Sequence, residues 1–98
     1  MKLEIKGTEV EIKGKMRAYL IYEQLTNKAF NPKTFTEMML YFYSLILANA
    51  KDIHLTFEEF MDYLDENEDK LSDFYKWLAK ENDMNNQLTD IKKKKANR

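Results

Sequence analysis

The sequence predicts an α+β fold that is mostly helical, with an N-terminal β-hairpin followed by about four short helices. The first 13 residues alternate apolar and charged side chains, which is typical of a sheet with one buried face. After Gly14 the apolar residues recur every three to four positions, which is typical of amphipathic helices. The chain has 2 Gly and 1 Pro among 98 residues, too few for the many tight turns of an all-β fold.

The predicted hairpin spans residues 2–13. Four apolar residues share its inner face: Leu3, Ile5, Val10 and Ile12. Gly7 and Thr8 are predicted to form a two-residue type II′ turn, because Gly stands first. This turn pairs Ile5 with Val10 and keeps the apolar side chains on one face. A two-stranded ribbon is marginal in water, so we expect it to lean on helices or to pair with another strand.

The first predicted helix spans residues 16–26 and ends at Asn27, a residue that tolerates the left-handed backbone of a helix end. Its buried face is predicted from positions spaced i, i+3, i+4 and i+7. These positions are Ala18, Ile21, Tyr22 and Leu25. We expect Met16 and Leu20 to widen this buried face.

Three further helices are predicted, over residues 35–50, 57–66 and 68–82. The second and third helices of the chain each begin with a capping box, in which a Thr hydroxyl and a Glu carboxylate satisfy the first backbone amides. Thr34 and Glu37 form the first box, and Thr56 and Glu59 form the second.

The predicted domain organisation is one compact domain, residues 1–82, followed by a flexible basic tail, residues 83–98. The net charge is −1, but residues 51–83 carry 4 basic and 11 acidic side chains, whereas residues 84–98 carry 5 basic and 1 acidic. The run Lys92–Lys95 would give only weak, salt-sensitive affinity for phosphates and would read no bases. Nucleic acid is therefore not expected as a partner.

The composition argues against an enzyme. The chain has no Cys and one His, which excludes disulfides, thiolate nucleophiles and multi-His metal sites. His54 stands in no sequence context typical of a catalytic histidine. Residues 65–69 begin like a calcium loop, but Lys70 occupies the position that needs Gly and Lys76 the position that needs Glu. We expect no catalytic residue, cofactor, metal ion or small-molecule substrate.

Neither a membrane span nor a signal peptide is predicted. The longest apolar stretch, Met38–Ala48, has 11 residues, whereas a membrane helix needs about 20. The N-terminal residues MKLEIKG contain no apolar core typical of a signal peptide. We therefore expect a cytoplasmic protein.

The second helix has more apolar side chains than a small core readily hides. Of the 14 residues 35–48, 11 are apolar or aromatic. Its least apolar line contains Tyr41, Ser44 and Ala48, so we expect these three to face away from the core and to bind a partner protein. The apolar surplus and the free edges of the hairpin also predict self-association.

Two stretches of the chain resemble a known family. They are MRAYLIYEQLTNKAF, residues 16–30, and LTFEEFMDYLD, residues 55–65. Both resemble stretches of the small tail assembly chaperones of long-tailed, siphovirus-type phages and prophages, which carry patterns such as "MRA…YE..TGK.F" and "LT.EE..D.LD". The resemblance covers roughly residues 2–80, and Asn27 stands where the family pattern often has Gly.

The resemblance implies a non-enzymatic role in virion assembly, in the cytoplasm of a bacterial host. Such chaperones bind the long helical tape measure protein, keep it soluble and help recruit tail tube subunits, and they tend to self-associate. The resemblance carries no binding residue over to this chain. The alternative function is a small regulatory protein of a mobile element that binds a host protein or DNA; a basic recognition helix would favour it, and none is visible in the sequence.

Overall fold

The fold is a β-hairpin followed by four helices, as described by a computed structural model for residues 1–81. Its elements are β1 (Lys2–Ile5), β2 (Thr8–Glu11), α1 (Met16–Thr26), α2 (Phe35–Asn49), α3 (Phe57–Glu66) and α4 (68–81). The strands are antiparallel. The predicted α+β, mostly helical class is confirmed. The predicted tail, 83–98, and the predicted last residue of the fourth helix, Asn82, lie outside the described residues.

The hairpin turn is built from Lys6 and Gly7, not from Gly7 and Thr8. Both residues have positive φ angles, 52° for Lys6 and 74° for Gly7. Two consecutive left-handed residues are the pattern of a type I′ turn, whose twist matches that of the flanking strands. The predicted type II′ turn is therefore wrong, because a lysine accepts the left-handed conformation that the prediction reserved for Gly.

The shifted turn moves the strand register by two residues. Leu3 pairs with Val10 and Ile5 with Thr8, so the predicted pairing of Ile5 with Val10 is also wrong. A shift of two leaves every side chain on its predicted face, because side chains alternate with a period of two. The four inward residues are all buried as predicted: Leu3, Ile5, Val10 and Ile12.

The predicted helix ends are largely confirmed. Asn27 adopts the left-handed conformation, with φ 57° and ψ 32°, and its N–H donates to the Glu23 carbonyl over 2.7 Å. Helix α2 ends at Asn49, one residue earlier than predicted, and the N–H of Ala50 closes it on the Ile46 carbonyl. These ends follow from backbone chemistry within one turn.

Both predicted capping boxes are present. The Thr34 hydroxyl accepts from the Glu37 N–H over 3.1 Å, and the Thr34 N–H donates to the Glu37 carboxylate over 3.0 Å. The same two bonds join Thr56 and Glu59, over 3.1 and 2.9 Å. Each box satisfies amides that the first helical turn leaves without a partner.

Helix α2 is the centre of the core. Eight of its 15 residues are buried. The Phe42 ring stacks on Phe74 of α4 with ring centroids 4.1 Å apart, and it meets Phe60 of α3 edge to face at 5.1 Å. Three helices therefore meet at one aromatic side chain, which supplies both apolar burial and favourable ring geometry.

The turn of the hairpin is tied to α3 by Lys6. Its ammonium group lies 2.9 Å from the Glu59 carboxylate and donates to the His54 carbonyl over 2.6 Å. The hydrogen bond from Lys6 comes first among the causes that lower the pKa of Glu59 to about 2, and the Thr56 N–H comes next. One carboxylate therefore both caps α3 and holds the hairpin against it.

Replacing Lys6 with Met is expected to lower the stability of the protein at neutral pH and to make that stability fall less as the pH is lowered. Because the folded-state pKa of Glu59 lies near 2, below the ordinary 4.5, its stabilisation is present above pH 4.5 and is lost as the pH falls towards 2. Urea unfolding from pH 7 to pH 2 should show the wild-type and Lys6→Met curves converging in acid. Lys2→Met, which removes an exposed lysine 3.7 Å from Glu9, is the control and should change little. A constant gap between the Lys6→Met and wild-type curves at all pH values would contradict this.

Candidate functional site

Exposed apolar side chains identify α1 as the candidate binding surface. Six large apolar residues are exposed on the described surface: Met16, Tyr19, Leu20, Leu25, Phe35 and Tyr75. Four of the six belong to α1, which has 11 residues. Single exposed apolar residues are ordinary, and it is their concentration on one short helix that makes α1 the candidate surface.

The outer side of α1 is apolar at its centre. The helix packs against the core through Ala18 and Tyr22. With about 100° between successive residues, Met16 and Leu20 lie one turn apart on the opposite side. Their exposed fractions are 82% and 60%. The expectation that they widen the buried face is therefore wrong, because the core reaches only one side of this helix.

A shallow, open depression lies beside Leu20. Its lining consists of Leu20, Glu23 and Gln24 of α1 and of Asn27, Lys28 and Ala29 of the following turn. The depression therefore lies where the helix ends at the left-handed Asn27. We call Met16, Leu20, Glu23, Gln24 and Asn27 the α1 face.

The charges of α1 are arranged against its own dipole. The first turn contains Arg17 and no acidic residue, and the last turn contains Glu23 and no basic residue. A helix carries partial positive charge at its N-terminus and partial negative charge at its C-terminus, so both side chains are placed unfavourably. Neither forms an ion pair with another residue of the described part of the chain. Both are exposed and available to charges on another molecule.

An aromatic cluster beneath α1 holds the helix in place. Tyr19 meets Phe30 edge to face with ring centroids 4.6 Å apart, and it is parallel to Tyr41 of α2 at 6.2 Å. Phe30 in turn packs against Tyr22 and Tyr41, at 5.2 and 4.7 Å. The α1 face therefore stands on a firmly packed support.

The predicted partner-binding residues lie in the core. Tyr41, Ser44 and Ala48 are 5%, 0% and 1% exposed, so the outward orientation that the prediction required is wrong. Tyr19 of α1 and Phe30 pack against Tyr41. Ser44 is polar and yet buried. Its hydroxyl donates to the Leu40 carbonyl within its own helix, over 2.7 Å, so the polar group needs no water.

The Tyr22 hydroxyl is buried and has no hydrogen-bond partner among the described residues. Burial, with a smaller contribution from the charge of Glu37, raises the pKa of this phenol. A buried hydroxyl without a partner destabilises a fold by about 1–3 kcal/mol. The Tyr43 hydroxyl differs, because it donates to the Leu55 carbonyl.

Replacing Tyr22 with Phe is expected to stabilise the protein by about 1 kcal/mol, because it removes a hydroxyl that loses its bond to water on folding. Tyr43→Phe is the matched control and should destabilise by about 1 kcal/mol, because it leaves the Leu55 carbonyl without its donor. Urea unfolding of the two variants gives both values. Equal destabilisation by both changes would show that the Tyr22 hydroxyl is satisfied, for example by a buried water.

The other sequence candidates are not brought together into a site. His54 is exposed, and the calcium-like run 65–69 lies where α3 meets α4. Within residues 1–81, no three His, Asp or Glu side chains are grouped so that they could hold a metal ion. Over the same residues, no helix has both the length and the apolar character needed to cross a bilayer.

Sequence reasoning missed the α1 face, although a signal for it was present. Apolar residues occur on every side of the α1 wheel, and one short helix in a small fold can turn only one side towards the core. Leu25, predicted to be buried, is 46% exposed and lies in the last turn of the helix.

Comparisons with protein-family models, with curated proteins and with solved structures find no match for this chain.

Proposed function

We propose that this protein is a non-enzymatic tail assembly chaperone of a phage or prophage, which binds the tape measure protein and helps recruit tail tube subunits. The observation that carries the proposal is the exposure of Met16 and Leu20 on the side of α1 that faces away from the core. The resemblance of residues 2–80 to such chaperones supports it and supplies the identity of the partner.

The α1 face suits a helical client. Amphipathic helices bind by placing apolar side chains, spaced i, i+3 or i+4 and i+7, into a complementary groove. The open depression beside Leu20 would accept one such side chain, and Met16 offers an apolar contact one turn before Leu20. A long helical client could repeat this contact along its length, so that several copies of the chaperone would cover its apolar surface.

Co-expression with the tape measure protein of the same phage tests the proposal. The full chain should keep the client soluble and co-purify with it, and Leu20→Glu should weaken binding by about tenfold or more, because it places a charge at the centre of the contact. Phe35→Glu is the control: Phe35 is 57% exposed, close to the 60% of Leu20, but lies at the start of α2. A tape measure protein that stays insoluble beside the wild-type chain, or that binds Leu20→Glu as well as wild type, would overturn the proposal.

A further inference from the structure

We propose that the basic run Lys92–Lys95 pairs as a further strand with the outer edge of β1 in the same molecule, beside the acidic groove between β1 and α3. Three observations lead to this arrangement: the backbone groups that β1 presents on its outer edge, the charges of the groove, and the place where α4 ends. The inference concerns the chain alone and is independent of the proposed function.

The outer edge of β1 presents backbone groups that no described residue binds. The N–H of Ile12 donates to the Met1 carbonyl over 2.7 Å, which fixes the phase of the hairpin ladder. Hydrogen-bonded pairs alternate with pairs that are not hydrogen-bonded, so Lys2 and Glu4 direct their N–H and C=O groups away from β2. Within residues 1–81, β1 pairs with β2 alone. These four backbone groups are therefore a template for one more strand.

A groove lies between this side of the hairpin and α3. Its hairpin wall includes Ile5 and Lys6, and its helix wall includes Glu59, Asp62 and Glu66. A strand added to β1 would lie against this helix wall. Segments that extend a sheet in this way gain affinity from their backbone and specificity from the side-chain pockets beside the edge.

The charge of the groove favours a basic occupant. Three carboxylates line it against one ammonium group, and that group, on Lys6, already lies 2.9 Å from the Glu59 carboxylate. The other two carboxylates, of Asp62 and Glu66, are exposed and form no ion pair within residues 1–81. Ammonium groups of an added strand would meet carboxylates that no other described residue neutralises.

Glu4 adds a carboxylate at the edge itself. Burial raises the pKa of the Tyr63 phenol, which lines the groove, and the charges of Asp69 and Glu4 raise it further. Glu4 therefore lies close to α3. It too forms no ion pair with another described residue. Since side chains of a strand alternate between its two faces, an extended Lys92–Lys95 can direct two ammonium groups towards α3 and two towards Glu4.

The opposite edge of the hairpin suits a basic strand less well. Glu9 and Glu11 of β2 already lie 3.7 and 4.0 Å from the ammonium groups of Lys2 and of the N-terminus. The depression beside β2 is lined by Lys51 as well as by acidic side chains. The carboxylates without an ion pair among the described residues therefore favour the β1 edge.

The end of α4 places the basic run within reach of this edge. The Glu81 carboxylate lies 3.9 Å from the position that a Cβ on Gly14 would occupy. Gly14 comes two residues after Ile12, which bonds to Met1, so α4 ends near the start of β1. The ten residues 82–91 can span up to about 33–36 Å, whereas β1 is about 13 Å long. Because the contact forms within one molecule, weak individual contacts suffice.

Exchange of the Glu4 amide proton with water, followed by NMR, tests the pairing. In the full chain at neutral pH and low salt, this proton should exchange at least about fivefold more slowly than in the variant that combines Lys92→Gln, Lys93→Gln, Lys94→Gln and Lys95→Gln. Glu9 is the internal control, because it pairs with Glu4 and directs its N–H to the outer edge of β2, where exchange should be the same in both proteins. Equal exchange of Glu4 in the two proteins would overturn the inference.

Neutralising the groove tests the charges. Asp62→Asn with Glu66→Gln should speed the exchange of Glu4 to the rate of the lysine variant, and adding the lysine substitutions should change it no further, because the same contact is lost. Glu58→Gln with Asp65→Asn is the matched control: both residues are exposed on α3 outside the groove, and the change in net charge is the same. Circular dichroism checks that all variants fold. A control that speeds the exchange as much as the groove variant would overturn the inference.

The dependence on protein concentration identifies the occupant. The slow exchange of Glu4 in the wild-type chain should be the same at about 20 μM and about 500 μM protein, because the segment belongs to the same molecule. Slowing that appears only at the higher concentration would assign the β1 edge to another copy of the chain and would overturn the inference. The proposed function is untouched by either result, since no client is present.

Discussion

Replacing Tyr41 with Glu is expected to unfold the protein. The Tyr41 side chain is 5% exposed and lies between Phe30 and Phe74, with ring centroids at 4.7 and 6.3 Å. A carboxylate there would lose its hydration among aromatic rings. The same burial raises the pKa of the Tyr41 phenol, because the site disfavours a negative charge. Burying an uncompensated charge destabilises by several kcal/mol, a large part of the ~5–15 kcal/mol that stabilises a typical domain.

Thermal unfolding followed by circular dichroism measures this effect. Tyr41→Glu should show no cooperative transition at neutral pH, or one at a strongly lowered temperature. Tyr41→Phe is the matched control and should remain folded with a change of about 1 kcal/mol, because it keeps the ring and removes only the hydroxyl. A wild-type melting curve for Tyr41→Glu would show that this side of α2 is open, as the sequence suggested.

Replacing Phe42 with Ala is expected to destabilise the protein by about 3–5 kcal/mol. The Phe42 side chain is 0% exposed and contacts α3 and α4 at once, so its removal leaves a cavity that three helices would have to close together. Phe35→Ala is the control, since Phe35 is 57% exposed and its change should stay within about 0.5 kcal/mol. Urea unfolding of both variants gives the comparison.

A double-mutant cycle on the stacked pair separates ring stacking from burial. Phe42→Leu and Phe74→Leu keep most of the apolar volume, so the double variant should remain folded enough to measure. The pair lies 4.1 Å apart with an angle of 8° between the rings, and we expect a coupling free energy of about 0.5–1.5 kcal/mol. Additive effects would mean that α4 is held by burial alone.

Local features of this chain were predictable from the sequence. Both capping boxes, the left-handed Asn27 and the inner face of the hairpin are present as expected. Each depends on groups within a few residues of one another: a hydroxyl and a carboxylate three positions apart, a backbone that must turn, or a two-residue alternation. The hairpin register was wrong by two residues because Lys6 adopts positive φ, in a turn where its ammonium group contacts α3.

Exposure, in contrast, was decided by the tertiary structure. The sequence marked Tyr41 as the outward line of α2 and Met16 and Leu20 as part of a buried face, and the structure reverses both. Periodicity says which residues share a side of a helix, but not how many sides its neighbours cover. Helix α2 is enclosed by α1, α3 and α4, so even its least apolar line is buried, whereas α1 packs on one side only. The number of neighbours around each helix is a property of the whole fold, and it determined which apolar side chains remain exposed.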